Sequence, residues 1–347
     1  MINTNNSEFK GIEIKNKYFL ICFKKIAQPV WIIDTDYSLD DQIALEYLLK
    51  NIKVIAITVC GAGTVSPAVI KAKIEYDLKN RYKIEGEIPV YAGADRPFID
   101  YHKELKDDEI YDSYNYEKTD YSIFIEEVNK TSSEKVDINV KISNMAAVKI
   151  AELVRSNEKN LNILALGPLT NISLAVLIDY SIKDKFDNLL IVGGSYHNLG
   201  NSGNSAEYNF RVDPVAAKNV IHYYKNITLI PLEIEEHLKL GGIGDLKTKH
   251  SILNKFYDHL SEETEESRSR HSFLGLFGAI VATNPNTQKI VNLRPTDVDI
   301  IGRYTRGSLA IEKYEYLKSG KFNEIKIVED VDLEKFKIIF KESFTIE

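Results

Sequence analysis

Asp34, Asp36, Asp40 and Asp41 put four carboxylates within eight positions, in the stretch Val30-Trp31-Ile32-Ile33-Asp34-Thr35-Asp36-Tyr37-Ser38-Leu39-Asp40-Asp41. Like charges this close repel, and each raises the others' pKa unless a cation neutralises them. A set of carboxylate oxygens suits a hard divalent cation, Ca²⁺ or Mg²⁺. A plainer reading is that Asp40 and Asp41 only place negative charge at a helix N-terminus, where the macrodipole favours it. That covers two acids and leaves Asp34 and Asp36 without a reason. The pattern therefore points to a metal or polyol site.

The elements around the acids agree with this. Val30 to Ile33 is a short apolar run of the kind that forms a buried strand. Ile43, Ala44, Tyr47 and Leu48 recur at helical spacing. The acids thus fall where a strand leaves a sheet and a helix begins, the edge at which open α/β sheets bind ligands.

Farther along, Val54 to Val59 reads as a second buried strand, closed by the turn Cys60-Gly61-Ala62-Gly63. Ser66-Pro67 opens a helix expected to turn Val69, Ala72 and Tyr76 to one face. Pro89 to Gly93 reads as a third strand. Residues 101–137 are rich in Asp, Glu, Lys and Tyr without a glycine, and read as a surface excursion with a helix near Ile123 to Val128. Regular alternation returns with a helix near Asn144 to Val154 and a strand over Ile163 to Leu166. A further strand spans Leu189 to Val192, a helix capped by Asp213-Pro214 spans Val215 to Tyr224, and another strand spans Ile227 to Ile230. Helices are expected over Leu253 to Leu260 and Phe273 to Ala282. Short strands follow from Asp297, then a closing helix over Leu333 to Phe340. Strands alternating with helices imply parallel βαβ units.

The chain has 347 residues and a net charge of −7, enough for a full core and unsuited to a nucleic-acid backbone. Only Cys22 and Cys60 are present, which argues against a disulfide framework or a zinc site. The apolar stretch Tyr18 to Phe23 is too short to span a bilayer and ends in Lys24-Lys25. Residues 1–28 read as an N-terminal extension, residues 29–347 as one domain, and the expected address is cytoplasmic.

Several segments carry a resemblance. Asp34-Thr35-Asp36 … Asp40-Asp41 resembles the opening signature of the inosine–uridine-preferring nucleoside hydrolases. Ile88 to Pro97, Leu166-Gly167-Pro168-Leu169-Thr170-Asn171, Gly193-Gly194, Asn201 … Ala206-Glu207-Tyr208-Asn209 … Asp213-Pro214 and Thr305-Arg306-Gly307 follow in the family's order. The similarity runs from about Pro29 to the C-terminus. It implies a Rossmann-like open sheet, single-domain and mostly parallel with flanking helices. It also implies a Ca²⁺-dependent N-ribosyl hydrolase acting on a small-molecule ribonucleoside, with neither nucleic acid nor membrane as partner, assembled as a homodimer or homotetramer. On this resemblance Asp36 is metal ligand and general base, Asp41 is a metal ligand, and Thr170 offers a backbone carbonyl. Asp40, Asn201, Glu207 and Asn209 bind the ribose hydroxyls. Asp34 orients the loop.

Departures accompany the matches. Tyr37-Ser38 replaces the family's Pro-Gly, putting a bulky phenol beside the acid loop, and Ala62 stands where the family has Asn. Nothing in residues 101–125 matches the family's histidine-bearing loop. The family's His-Asp pair, whose Asp completes the metal shell, aligns with Gly275-Leu276, or with His271-Ser272 if anchored on the histidine. Either way the Asp is missing. His271 reads as solvated, Glu233 as structural, and His197 and His237 as corner residues. These gaps support a second expectation, a catalytically impaired homologue with a binding, structural or regulatory role. A third, a haloacid-dehalogenase-like phosphatase built on Asp34-Thr35-Asp36, leaves Leu166 to Asn171 and Ala206 to Asn209 without a role.

Overall fold

The computed structural model describes residues 7–14, 17–24, 28–61, 65–84, 86–99, 145–156, 160–197, 200–202, 205–234, 274–312 and 323–344. The expected helices near Ile123 to Val128 and Leu253 to Leu260 lie outside these residues, as do Ala62, His237, His271 and Ser272. Near the N-terminus, β1 (Ser7–Ile14) and β2 (Lys17–Lys24) pair antiparallel as a two-stranded sheet of their own.

The main sheet begins at β3 (Val30–Thr35), followed by α1 (Leu39–Asn51), β4 (Lys53–Val59), α2 (Pro67–Asn80) and β5 (Val90–Ala92). Then come α3 (Met145–Ser156), β6 (Leu161–Ala165), α4 (Thr170–Ile178) and β7 (Asn188–Val192). The short helix α5 (Tyr208–Val212) leads into α6 (Pro214–Tyr223) and β8 (Ile227–Ile230). The described chain closes with α7 (Leu274–Thr283), β9 (Gln288–Val298), β10 (Leu309–Ile311), β11 (Asn323–Val331) and α8 (Leu333–Phe344).

These strands form one nine-stranded sheet in the order β10-β9-β11-β8-β7-β6-β3-β4-β5. Pairing is parallel from β11 to β5, while β9 and β10 add an antiparallel edge. The chain winds from β3 outward through β4 to β5, then returns to place β6 on the other side of β3. The order reverses between β3 and β6, and a crevice opens at such a switch point.

A sheet covered on both faces needs strands that are apolar on both sides, and β3, β6 and β7 meet this with near-continuous burial. Alternate residues feed two cores. Ile33, Ile57 and Leu164 pack with Ile43, Ile70, Phe277 and Phe336 on one face. Ile32, Ile163 and Leu189 pack with Ile150, Ile172 and Val220 on the other.

Two expectations are corrected here. On α2 the inward face is Val69, Ile70, Lys73, Ile74, Asp77 and Leu78, whereas Tyr76 is 43% exposed. The apolar spacing misled because Lys73 and Asp77 pair with each other at 3.2 Å and are buried as a unit. The strands after Asp297 belong to a ladder that starts earlier. β9 runs eleven residues from Gln288, half exposed, so no continuous apolar run marked it.

Candidate functional site

Asp34 sits near the C-terminal end of β3 and is fully buried. Its Oδ1 accepts from Thr58 Oγ1 at 2.6 Å and Asn171 Nδ2 at 2.9 Å. Asn171 Oδ1 in turn accepts from the Ala94 amide at 2.8 Å. Asp34 thus ties β3, β4, the corner after β5 and the start of α4 together, an orienting place. Oδ2 of the same carboxylate is buried with no partner among the described residues, and burial pushes the group up to about 7.

Asp36, Asp40 and Asp41 gather just beyond the end of β3, where the chain turns into α1. Asp41 is buried close to Asp36. Thr35 Oγ1 also donates to Asp41 Oδ2. Asp40 Oδ1 accepts from Ser38 Oγ at 2.7 Å, and its Oδ2 accepts from the Gly275 amide at 3.2 Å. Burial pushes Asp36 up to about 6, with the Asp40 charge adding to it. Asp41 is raised well above the carboxylate range by burial and then by Asp36 and Asp40. Asp40 is raised by burial too.

Across the switch point the β6–α4 corner closes on these acids. A Cβ on Gly167 would lie 2.6 Å from the Asp36 amide nitrogen, so only glycine lets the two strand ends approach this closely. Thr170 opens α4, and its Oγ1 donates to Asp213 Oδ2 at 2.8 Å. Asp213 also caps α6 through the Ala216 amide.

Glu207 and Asn209 lie buried at the same edge, but their polar atoms are engaged with backbone. Glu207 Oε1 accepts from the Asn209 amide, and Oε2 from the amides of Gly194 and Phe210. Burial nonetheless pushes Glu207 up to about 7. Asn209 Nδ2 donates to the carbonyls of Leu166 at 2.7 Å and Val192 at 3.3 Å, bridging the ends of β6 and β7. Asn201 Oδ1 accepts from the Tyr208 amide at 2.8 Å, holding the turn before α5.

Tyr37 does not place its phenol beside the acids. With φ at 60° its side chain turns away from them, is fully buried, and donates to Asp77 Oδ2 at 2.8 Å. Of the two late-chain alignments, only Gly275-Leu276 lies within the described residues. Leu276 points into the core, and Gly275 faces the acids. A Cβ there would meet Asp40 Oδ2 at 2.8 Å and Asp41 Oδ1 at 3.0 Å. Sequence reasoning missed this contact because it spans more than 230 residues and involves a residue with no side chain. The amides of Tyr196 and His197 both donate to Glu233 Oε1 at 2.7 Å, so Glu233 holds a corner, as expected, and His197 is exposed. Among the described residues, no group of three or more His, Cys, Asp and Glu side chains is arranged to hold a metal ion.

Fold and site together define a doubly wound α/β protein with a buried carboxylate cluster at its topological switch point. A model of the inosine-uridine preferring nucleoside hydrolases matches residues 31–338, and the chain belongs to that family. Uridine nucleosidase 1 of Arabidopsis thaliana is 38% identical over 118 residues, 33% of this chain and 35% of that protein. A probable uridine nucleosidase 2 of Oryza sativa is 31% identical over 206 residues, 58% of this chain and 56% of that one. The chain thus matches about a third and just over half of the lengths of these relatives. An inosine-uridine preferring nucleoside hydrolase of Leishmania major is 24% identical over 322 residues, 88% of this chain and 94% of that one. The fold is similar to that of a plant nucleoside hydrolase, with a TM-score of 0.69 at 20% identity, covering 92% of this chain and 99% of the other. Among the described residues no helix is long and apolar enough to cross a membrane.

Proposed function

We propose that the protein is a Ca²⁺-dependent nucleoside N-ribosyl hydrolase that cleaves a ribonucleoside into ribose and base. The observation that carries this reading is the crowding of the buried Asp36 and Asp41 and the half-buried Asp40, all raised, against the β6–α4 corner at the switch point. The donors are all hard oxygens, which fits a divalent cation of this kind. Asp36, Asp41 and the Thr170 carbonyl would hold it. When bound, the cation would acidify water and polarise the ribose hydroxyls.

The chain's own residues supply the rest. Asp36 takes the proton from the attacking water. N-glycosidic cleavage develops oxocarbenium character, and the neighbouring carboxylates stabilise that positive charge. Asp40 binds a ribose hydroxyl, and Asn201, Glu207 and Asn209 complete the sugar contacts. A buried hydroxyl left unpaired costs about 1–3 kcal/mol, so a pocket rich in fixed acceptors selects a polyol. On the support of the family, a homodimer or homotetramer in the cytoplasm is proposed as well. The segment before residue 29 is an extension to this domain.

A second reading, a homologue that binds nucleoside without turnover, is favoured by one observation: Gly275 presents no side chain where α7 meets the acids. Calorimetric titration of Ca²⁺ followed by assay of base release across nucleosides separates the two. Ca²⁺ binding lost in an Asp36→Ala/Asp41→Ala variant, with base release, supports the hydrolase. Ca²⁺ binding without release from any nucleoside supports the second reading. Absence of Ca²⁺ binding up to millimolar concentration overturns the metal-dependent mechanism.

A further inference from the structure

Behind the acid loop lies a second polar cluster that the proposed chemistry does not use. Tyr37 sits midway between Asp34-Asp36 and Asp40-Asp41, in a left-handed conformation that bulky side chains rarely adopt. Each of its polar groups is engaged. The amide donates to Thr35 Oγ1 at 2.8 Å, and Thr35 Oγ1 donates to Asp41. The carbonyl accepts from Gln42 Nε2 at 3.4 Å, and the phenol donates to Asp77. Lys73 closes the ring. Its Nζ contacts Asp77 Oδ2 at 3.2 Å and Gln42 Oε1 at 3.3 Å, and lies 5.3 Å from the Tyr37 ring centroid. Arg81 Nη1 adds a contact to Asp77 at 3.6 Å.

Burying a lysine and an aspartate on the core face of α2 is a poor way to gain stability, because desolvation opposes the pairing. Fully connected polar networks instead specify one conformation. The backbone fixed here is the one that sets the directions of Asp36, Asp40 and Asp41. We infer that Tyr37, held by the buried Lys73–Asp77 pair, is a positioning residue that locks the acid loop onto α2 in its ligand-facing conformation. This rests on reading those acids as the metal and ribose set.

The test begins on chelated protein, so that it does not depend on metal. Amide hydrogen exchange is compared for residues 36–42 in wild type, Tyr37→Phe and Tyr47→Phe. Tyr47 is a matched control, since its phenol bonds Thr283 and Asn284 at the other end of α1. Exchange in the loop is expected to quicken about tenfold in Tyr37→Phe, with β6 unchanged and no loop effect in Tyr47→Phe. Asp77→Asn, which weakens the same bond from its far side, should quicken the loop by less. Unchanged loop exchange in both Tyr37→Phe and Asp77→Asn, or equal quickening in Tyr47→Phe, overturns the lock.

Calorimetric titration of Ca²⁺ then reads the consequence. The dissociation constant should rise about tenfold in Tyr37→Phe, stay level in Tyr47→Phe, and rise no further when Asp77→Ala is added to Tyr37→Phe. Wild-type protein that binds no Ca²⁺ defeats the functional reading, while the exchange data still decide the lock.

Discussion

At Glu207 two effects oppose each other and one wins. Three backbone amides favour its charged form, yet burial pushes the group from its ordinary 4.5 up to about 7. The folded protein therefore binds this proton more tightly than the unfolded chain. Its contribution to stability is fully present below the ordinary value and is lost as pH rises through the folded one. Urea unfolding of chelated protein should show stability falling between about pH 5 and pH 7.5. Glu207→Gln should reduce that total fall by up to roughly 3 kcal/mol, with Asp34 and its neighbours supplying the remainder. An identical slope in the variant would show that Glu207 titrates normally.

At the scale of elements, the site depends on how closely two strand ends approach. Leu166 and Gly167 both donate amides to the Asp34 carbonyl, at 2.8 and 3.4 Å, sealing β6 to β3 past the end of the ladder. Gly167→Ala puts a methyl group against backbone, which cannot rotate aside. It should cost about 1–3 kcal/mol in thermal or urea unfolding and weaken Ca²⁺ binding along with it. Asn209 does comparable work between β6 and β7. Asn209→Ala strips hydrogen bonds from two buried carbonyls and should cost about 1–3 kcal/mol. Under the proposed function it also raises KM for the nucleoside. A stability loss with KM unchanged would assign Asn209 to the scaffold alone.

For the whole molecule, the arrangement concentrates negative charge where the winding of the sheet reverses, and the apo protein carries that repulsion. A cation that binds only the folded form should stabilise it by about 2.7 kcal/mol at a hundredfold excess over Kd. For a domain of this size that is a rise in Tm of roughly 5 °C. Differential scanning fluorimetry with Ca²⁺ and with EDTA measures it, and Asp36→Ala/Asp41→Ala should abolish the difference. An equal rise in that variant would place the effect elsewhere on the acidic surface.

Much of this was legible in the order of residues, because strand and helix patterns are local. Val30 to Ile33, Val54 to Val59 and Leu189 to Val192 are apolar enough to be buried strands in a sheet covered on both faces. Asp213-Pro214 and Ser66-Pro67 mark helix starts by capping chemistry. The acid-rich turn stood out because four carboxylates at one corner have few other uses, and matched segments such as Leu166 to Asn171 and Ala206 to Asn209 suggested the family. Tertiary structure alone decided which groups face each other. The rotation of Tyr37 away from the acids toward Lys73 and Asp77, and the approach of Gly275 rather than Leu276, depend on contacts between residues 36 or more positions apart. Glu207 and Asn209 likewise secure backbone groups of Gly194, Val192 and Leu166, between 13 and 43 positions away. Periodicity records which side of an element is apolar. It carries no information on which distant polar group a buried side chain will meet, and that contact determines where a polar side chain can be buried.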